Sequence, residues 1–286
     1  GAGGGGGAGG GGALSGAVSS GGFLRGSERF DAAFFGISPV EAAATEPRQR
    51  LLLEAGYAAL HGGGWRRATL AGAPLGVFVG VHAADTPPPQ PAHPPALAAT
   101  GAALCVASGR LSFALGLRGA CVSLDTACSS ALVSLHLARQ ALRDEPPQPA
   151  VYPPYRGPSP APGVRGGGAR GAGALSASVS LRADPRYSRL LAAAGFLSPT
   201  GRCHTFDRAA DGYVRAEAAC AILVELEASS RSRSGEPPAR AAPVASVGGP
   251  ALAGVWPSLG GLALLSVAVA HDGRSASLTA PSAGAQ

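Results

Sequence analysis

Apolar residues fall along the chain in short, sharply bounded runs, and their spacing lays out the elements. Gly76-Val-Phe-Val-Gly-Val81 is continuous, as a strand covered on both faces requires. Residues 218–226 form a second run of this kind, and residues 267–269 a shorter one. Residues 174–181 alternate and predict another strand. Elsewhere the period is helical. Thr45 is the expected N-cap of a helix with Pro47 in its first turn and Gly62 to Gly64 at its end. Its buried stripe is read as Leu51, Leu52, Ala55, Ala58 and Ala59. Residues 102–117 read as helix then turn, and residues 185–194 as a helix stopped by Gly195. Val122 and Leu124 open one more strand. A turn through Asp125, Thr126 and Ala127 leads from it into a helix whose face is expected to be Leu132, Val133, Leu135 and Leu137.

Four stretches have no such period. Residues 1–22 are almost all Gly, Ala and Ser, too little apolar surface to offset ordering entropy, so disorder is expected there. Residues 86–95 are Pro-rich loop. Residues 145–173 and 229–261 are dense in Pro, Gly, Arg and Ser and read as low-complexity insertions. Long flexible loops are tolerated because closure entropy grows slowly with length. Retained non-coding sequence is the alternative reading.

Composition sharpens this only in part. The 286 residues include 44 Gly and 25 Pro, and no Met. Lys and Asn are also absent, so all 23 basic residues are Arg. Ala, Gly, Pro and Arg share GC-rich codons, which accounts for the skew better than a special fold does. The missing Met reads as a chain that does not start at its own initiator: a fragment, a processed product or an incomplete reading frame. The net charge of +6 is mild, its Arg residues are scattered, and aromatics are only 5%. That argues against nucleic-acid binding, which wants a basic stripe with stacking platforms. It suits a surface tolerant of acidic partners. No apolar run reaches 18 residues, so no membrane span is expected. Five scattered cysteines without C-x-x-C or metal-ligand spacing suit free thiols in a reducing intracellular compartment, cytoplasmic or organellar, the plastid included.

One of those cysteines stands apart. Cys128 sits between a strand and a helix, where unpaired backbone N–H groups and the helix dipole favour a thiolate. A strand–turn–Cys–helix unit presents an activated sulfur well. The plain alternative is a small buried hydrophobe. His82 ends a strand without any companion that the sequence puts near it, and is read as non-catalytic. His93 and His204 read as loop residues, and Cys105 and Cys121 as packing. His136 lies eight residues after Cys128 on the same helix, about 12 Å along by helical rise, and cannot partner it.

Asp125-Thr-Ala-Cys-Ser-Ser130 resembles the active-site motif of the β-ketoacyl synthases, specifically the ketosynthase domains of type I polyketide and fatty-acid synthases. Gly21-Gly-Phe-Leu24, Arg29 to Pro39, and Ala107-Ser-Gly-Arg-Leu-Ser-Phe113 resemble earlier segments of that family. Gly195 to Asp207 and Ala210-Asp-Gly-Tyr-Val-Arg-Ala-Glu217 form a second specific block, and Asp272 to Pro281 resembles the close of its first half. The resemblance runs over residues 21–227, broken at 145–173, and returns at 271–286.

The resemblance implies an α/β, thiolase-like fold of α-β-α-β-α layers, of which this chain holds most of the first half. It implies residues 23–286 as a partial N-terminal ketosynthase domain. The implied activity is decarboxylating Claisen condensation. Cys128 takes an acyl chain as a thioester from an acyl carrier protein, and a malonyl-type extender attacks it. Phosphopantetheine arrives on the carrier; no directly bound cofactor or metal is implied. A homodimer is implied as well, with residues 107–113 and the next strand near the two-fold axis. Asp207, Asp211 and Arg215 are implied to be scaffold for a loop beside the site. The family usually has Gly where Ala216 and Ala218 stand, so local strain is expected there.

The family's two His and one Lys belong to its second half, as does part of its oxyanion hole, whose donors are typically worth on the order of 10²–10³ in rate. None of the six His here stands in those contexts, and Lys is absent. A non-condensing half-domain, a scaffold or acyl-accepting remnant with exposed apolar surface, is therefore the rival reading.

Overall fold

A computed structural model describes residues 20–85, 94–143, 173–225 and 245–246. The expectations for residues 267–269 and 272–281, and for most of the two insertions, lie outside these.

The centre is a mixed five-stranded sheet built from β1 (Gly76–Val81), β2 (Cys121–Leu124), β3 (Gly173–Ser180), β4 (Ala218–Glu225) and β5 (Ala245–Ser246), in the order β2-β1-β3-β4-β5. β1 runs parallel to β2 and β3, with Val77 opposite Cys121 and Leu175. β4 is antiparallel to β3 and β5. All six residues of β1 are buried, as its unbroken apolar run demands. β5 lies inside the stretch read as a low-complexity insertion.

Successive side chains of a strand point to opposite faces, so each face of β1 packs on different helices. Val77, Val79 and Val81 join Leu175, Ala177 and Val179 in a core with Leu51, Leu52, Leu53, Leu60 and Leu111. Those leucines come from α3 (Pro47–Gly62) and α6 (Ala107–Leu115). Phe78 and Ala174 face the other way, onto Ala138 and Leu142 of α7 (Ser130–Arg143). The described residues thus make three layers, helix–sheet–helix.

Smaller helices close the edges. α1 (Ala32–Phe35) is capped by Asp31, and α2 (Pro39–Ala44) by Ser38. α4 (Arg67–Leu70) precedes β1, and α5 (Pro95–Ala102) precedes α6. α8 (Pro185–Ala193) ends at Gly195, whose φ of 76° favours a residue without Cβ.

Several expectations are corrected. Thr45 does not cap α3; it closes α2, and its hydroxyl donates to the Glu41 carbonyl at 2.8 Å. The cap of α3 is Glu46, whose carboxylate accepts Arg48 N–H at 2.8 Å. Ala58 is exposed, while Arg48 and Gln49 are buried. Ser20, Gly21 and Gly22 are not disordered. Gly22 exchanges backbone bonds with Arg215 and Glu217 at 3.1 and 2.8 Å, and Arg182 donates to the Ser20 carbonyl at 2.7 Å. Partners from residues 182–217 supply what the glycine-rich segment lacks. Ala216 and Ala218 carry no strain: the described non-glycine residues at positive φ are Ala127 and Phe206. Cys105 and Cys121 are exposed rather than packed.

The face of α7 is the largest correction. Leu132 is 64% exposed, Leu137 of the expected face does pack against the sheet-side cluster, and the residues of the helix that are buried are Ser130, Ser134, Ala138 and Leu142. Their i, i+4 spacing makes a stripe of mostly small side chains. Close approach explains the choice. A Cβ on Gly80 of β1 would sit 2.6 Å from the Ser130 carbonyl oxygen, so helix and strand touch backbone to backbone. Ser134 and Ser176 satisfy each other across the contact at 2.9 Å.

Candidate active site

The carboxyl end of β2 and the head of α7 build the site. After Leu124 the chain passes through Asp125 and Thr126 into a short 3-10 turn, Ala127–Ser129, and α7 begins at Ser130. Ala127 has a φ of 53°, the left-handed region that residues with a Cβ avoid. This bend lifts the next residue, Cys128, out of the strand line, and Cys128 is exposed. Three hydroxyls stitch the turn. Ser130 Oγ accepts Thr126 N–H and donates to the Ala127 carbonyl, both at 2.8 Å. Ser129 Oγ donates to the Thr126 carbonyl at 2.8 Å and to its hydroxyl at 2.9 Å. Asp125 accepts Ala127 N–H at 2.9 Å.

His82, read from the sequence as lacking companions, has two. Its Nδ1 lies 3.1 and 3.2 Å from the Asp125 carboxylate oxygens, and its Nε2 lies 3.2 Å from the Tyr187 hydroxyl. An ionised carboxylate only accepts, so Nδ1 carries a proton, and Nε2 shares a hydrogen bond with the Tyr187 hydroxyl. Ala83 N–H also donates to Asp125, at 3.0 Å. Burial alone would raise the Asp125 pKa. The N–H groups of Ala83 and Ala127, with the His82 imidazole, outweigh it and hold the carboxyl below the ordinary range. The sequence signal for this cluster was a His directly after a strand facing a motif Asp.

The far wall is residues 196–217. Arg215 pairs with the buried Asp85, donates to Ser188 Oγ at 2.7 Å, and lies 5.2 Å over the Tyr187 ring. Asp207 accepts Ala209 N–H at 2.7 Å, and Asp211 accepts the Thr200 hydroxyl at 3.2 Å. All three hold backbone or side chains of the loop in place. Burial pushes the Tyr213 phenol up; Arg215 opposes this, while Tyr187, Cys128 and Asp85 add to it. Tyr213 therefore lies within electrostatic reach of Cys128. No described side chain hydrogen-bonds the Cys128 sulfur, and among the described residues no three His, Cys, Asp or Glu side chains gather as a metal would need.

Against known proteins, the profile of the β-ketoacyl synthase N-terminal domain matches residues 12–151 and 171–229. The chain belongs to the β-ketoacyl synthase family. The match leaves out residues 152–170, within the Pro- and Gly-rich stretch. A mycocerosic acid synthase-like polyketide synthase from Mycolicibacterium smegmatis is 40% identical over 211 residues, 71% of this chain and 9% of that protein. An erythronolide synthase from Saccharopolyspora erythraea is 37% identical over 269 residues, 93% of this chain and 7% of that protein. The chain thus spans under a tenth of these relatives' length. Among solved structures, the ketosynthase from module 6 of the bacillaene synthase of Bacillus subtilis overlays with a TM-score of 0.58 at 31% identity. That overlay covers 74% of this chain and 32% of that one. An oxazolomycin ketosynthase domain from Streptomyces albus gives 0.56 at 32% identity, covering 72% and 32%.

The ketosynthase assignment is thus to the N-terminal part of such a domain in type I polyketide synthases, and the fold is α/β and thiolase-like. The bend at Ala127 falls inside the ketosynthase motif, between its strand and its helix.

Proposed function

We propose that Cys128 is the acyl acceptor of a ketosynthase that forms carbon–carbon bonds by decarboxylating Claisen condensation. The observation that carries this is the exposed sulfur at the left-handed turn before α7, in a chain of the β-ketoacyl synthase family. In the first half-reaction the thiolate attacks an acyl thioester. The acyl chain moves to Cys128, and the carrier's phosphopantetheine sulfur leaves as a thiolate that takes its proton from water. In the second, an extender carbanion formed by loss of carbon dioxide attacks the Cys128 thioester and returns the sulfur as thiolate. An acyl carrier protein is the partner, and the working state is a homodimer. The open edge at β2, where Cys121 and Val122 are exposed, supports the second point. Free thiols at all five cysteines support a reducing intracellular compartment.

A second reading is an acyl-accepting half-domain that does not condense. The exposure of Leu132 on α7 favours it.

Incubating the chain with an acyl-N-acetylcysteamine thioester and weighing its peptides separates these readings. Both expect an acyl mass on the Cys128 peptide, lost in Cys128→Ala. Release of carbon dioxide from a malonyl thioester supports condensation alone. Folded protein whose Cys128 takes no acyl group overturns both.

A further inference from the structure

The turn that presents Cys128 is strained at Ala127, and such a conformation persists only where neighbours enforce it. One restraint is the Asp125 carboxylate on the Ala127 amide. That carboxylate is partly exposed, so water competes for it and other rotamers are open to it. What aims it is on its other side. Ala83 N–H and His82 Nδ1 both reach Oδ2, at 3.0 and 3.1 Å.

The imidazole is itself fixed by Tyr187, and the His82 backbone by Arg48. Tyr187, in the first turn of α8, holds Nε2 at 3.2 Å, with the two rings 5.5 Å apart. The His82 backbone carbonyl accepts from the Arg48 guanidinium. Arg48 is buried in α3 and paired with Glu46 at 2.8 Å. A rigid ring on a rigid strand end thus bears on a carboxylate that two backbone N–H groups alone would otherwise hold.

We propose that His82 is a positioning residue for Cys128: its imidazole orients Asp125 so that the carboxylate caps Ala127 and holds the turn that displays the sulfur. This deepens the acyl-acceptor reading and rests on it. The role is positioning, because no described contact joins the imidazole to the sulfur, and the path runs through Asp125 and the Ala127 amide.

The test compares His82→Leu, which removes the donor, with His82→Asn, which keeps an N–H donor on a short side chain. The readout is the rate at which iodoacetamide alkylates Cys128 in the whole 286-residue chain, relative to exposed Cys105 in the same sample. When the turn relaxes, the sulfur leaves the unpaired N–H groups at the head of α7 that favour its reaction. The ratio is expected to fall about tenfold in His82→Leu and to return to within about threefold in His82→Asn. A purely space-filling role predicts the opposite order, since Leu fills the ring's volume better than Asn. An unchanged ratio in folded His82→Leu overturns the proposal, as does a loss that Asn fails to restore. Should His82→Leu not fold by circular dichroism, Tyr187→Phe takes its place. The Phe variant is expected to slow Cys128 while Asn does not, and the reverse overturns the proposal. Iodoacetamide needs no acyl donor. A chain that refuses acyl thioesters yet shows this His82 dependence overturns only the acyl-acceptor reading.

Discussion

Asp125 ties two backbone segments together by accepting from both, and that makes the site sensitive to acid. Burial works to raise its pKa, but the hydrogen bonds from Ala83, Ala127 and His82 prevail, so the folded value lies below the unfolded one. The stabilisation is complete above the ordinary carboxylate pKa of about 4 and is lost as pH falls through the folded value. Urea midpoints measured from pH 6 down to pH 3 are therefore expected to fall less steeply in Asp125→Ala than in the parent. Equal slopes would mean that the carboxylate contributes nothing. At this scale the sequence was unevenly legible. The strand–turn–helix setting of Cys128 was readable because its motif is six consecutive residues whose geometry is local. His82 was not, since its partners are 43 and 105 positions away and only the sheet brings them together. Asp85 and Arg215 are likewise 130 positions apart.

Strand bounds followed the apolar pattern, and a helix face departed from it where close packing overrode hydrophobicity. β1, β3 and β4 lie within a residue of their expected bounds, because apolar runs in a buried sheet admit few alternatives. For α7 the apolar residues marked the buried face only in part: Leu137 packs against the core and Leu132 does not. The sheet takes the small stripe instead, since Gly80 lets the helix approach to backbone contact and a leucine there would hold it off. Gly80→Ala places a Cβ 2.6 Å from the Ser130 carbonyl, an obstacle that cannot swing aside. It is expected to lower stability by about 1–3 kcal/mol in urea titration. A variant as stable as the parent would show that α7 can shift freely, and the turn before it too. At α3, Thr45 and Glu46 are neighbours with credible capping chemistry, and position alone decided between them. The preceding helix α2 needed a terminus, and Thr45 serves it.

Taken whole, the described residues have one well-filled core and one bare flank. The α3–α6 side of the sheet is closed by leucines, many with no exposure at all. The α7 side is covered by that single helix, whose outer surface shows Leu132 at 64% exposure. Phe113 is 90% exposed at the β2 edge. Apolar surface of this kind drives association. Leu132→Glu is expected to reduce self-association in analytical ultracentrifugation while leaving the melting temperature within a few degrees. A fall in melting temperature without a change in mass would place Leu132 in the core instead. The layer order was inferable from the family resemblance; which flank stays open was not, because it depends on the face that α7 turns to the sheet.

The order of strands has a kinetic consequence. β1 is an interior strand, yet its pairing with β3, through Gly76 and Ala174, joins positions about a hundred residues apart. β3 and β4 are antiparallel and closer in sequence, so they can zip first. The parallel seam must wait for a long loop to close, and that entropy is spent before any of its contacts form. Refolding from urea should therefore run on the millisecond-to-second scale of high-contact-order proteins, with the β1–β3 seam among the last features to take shape.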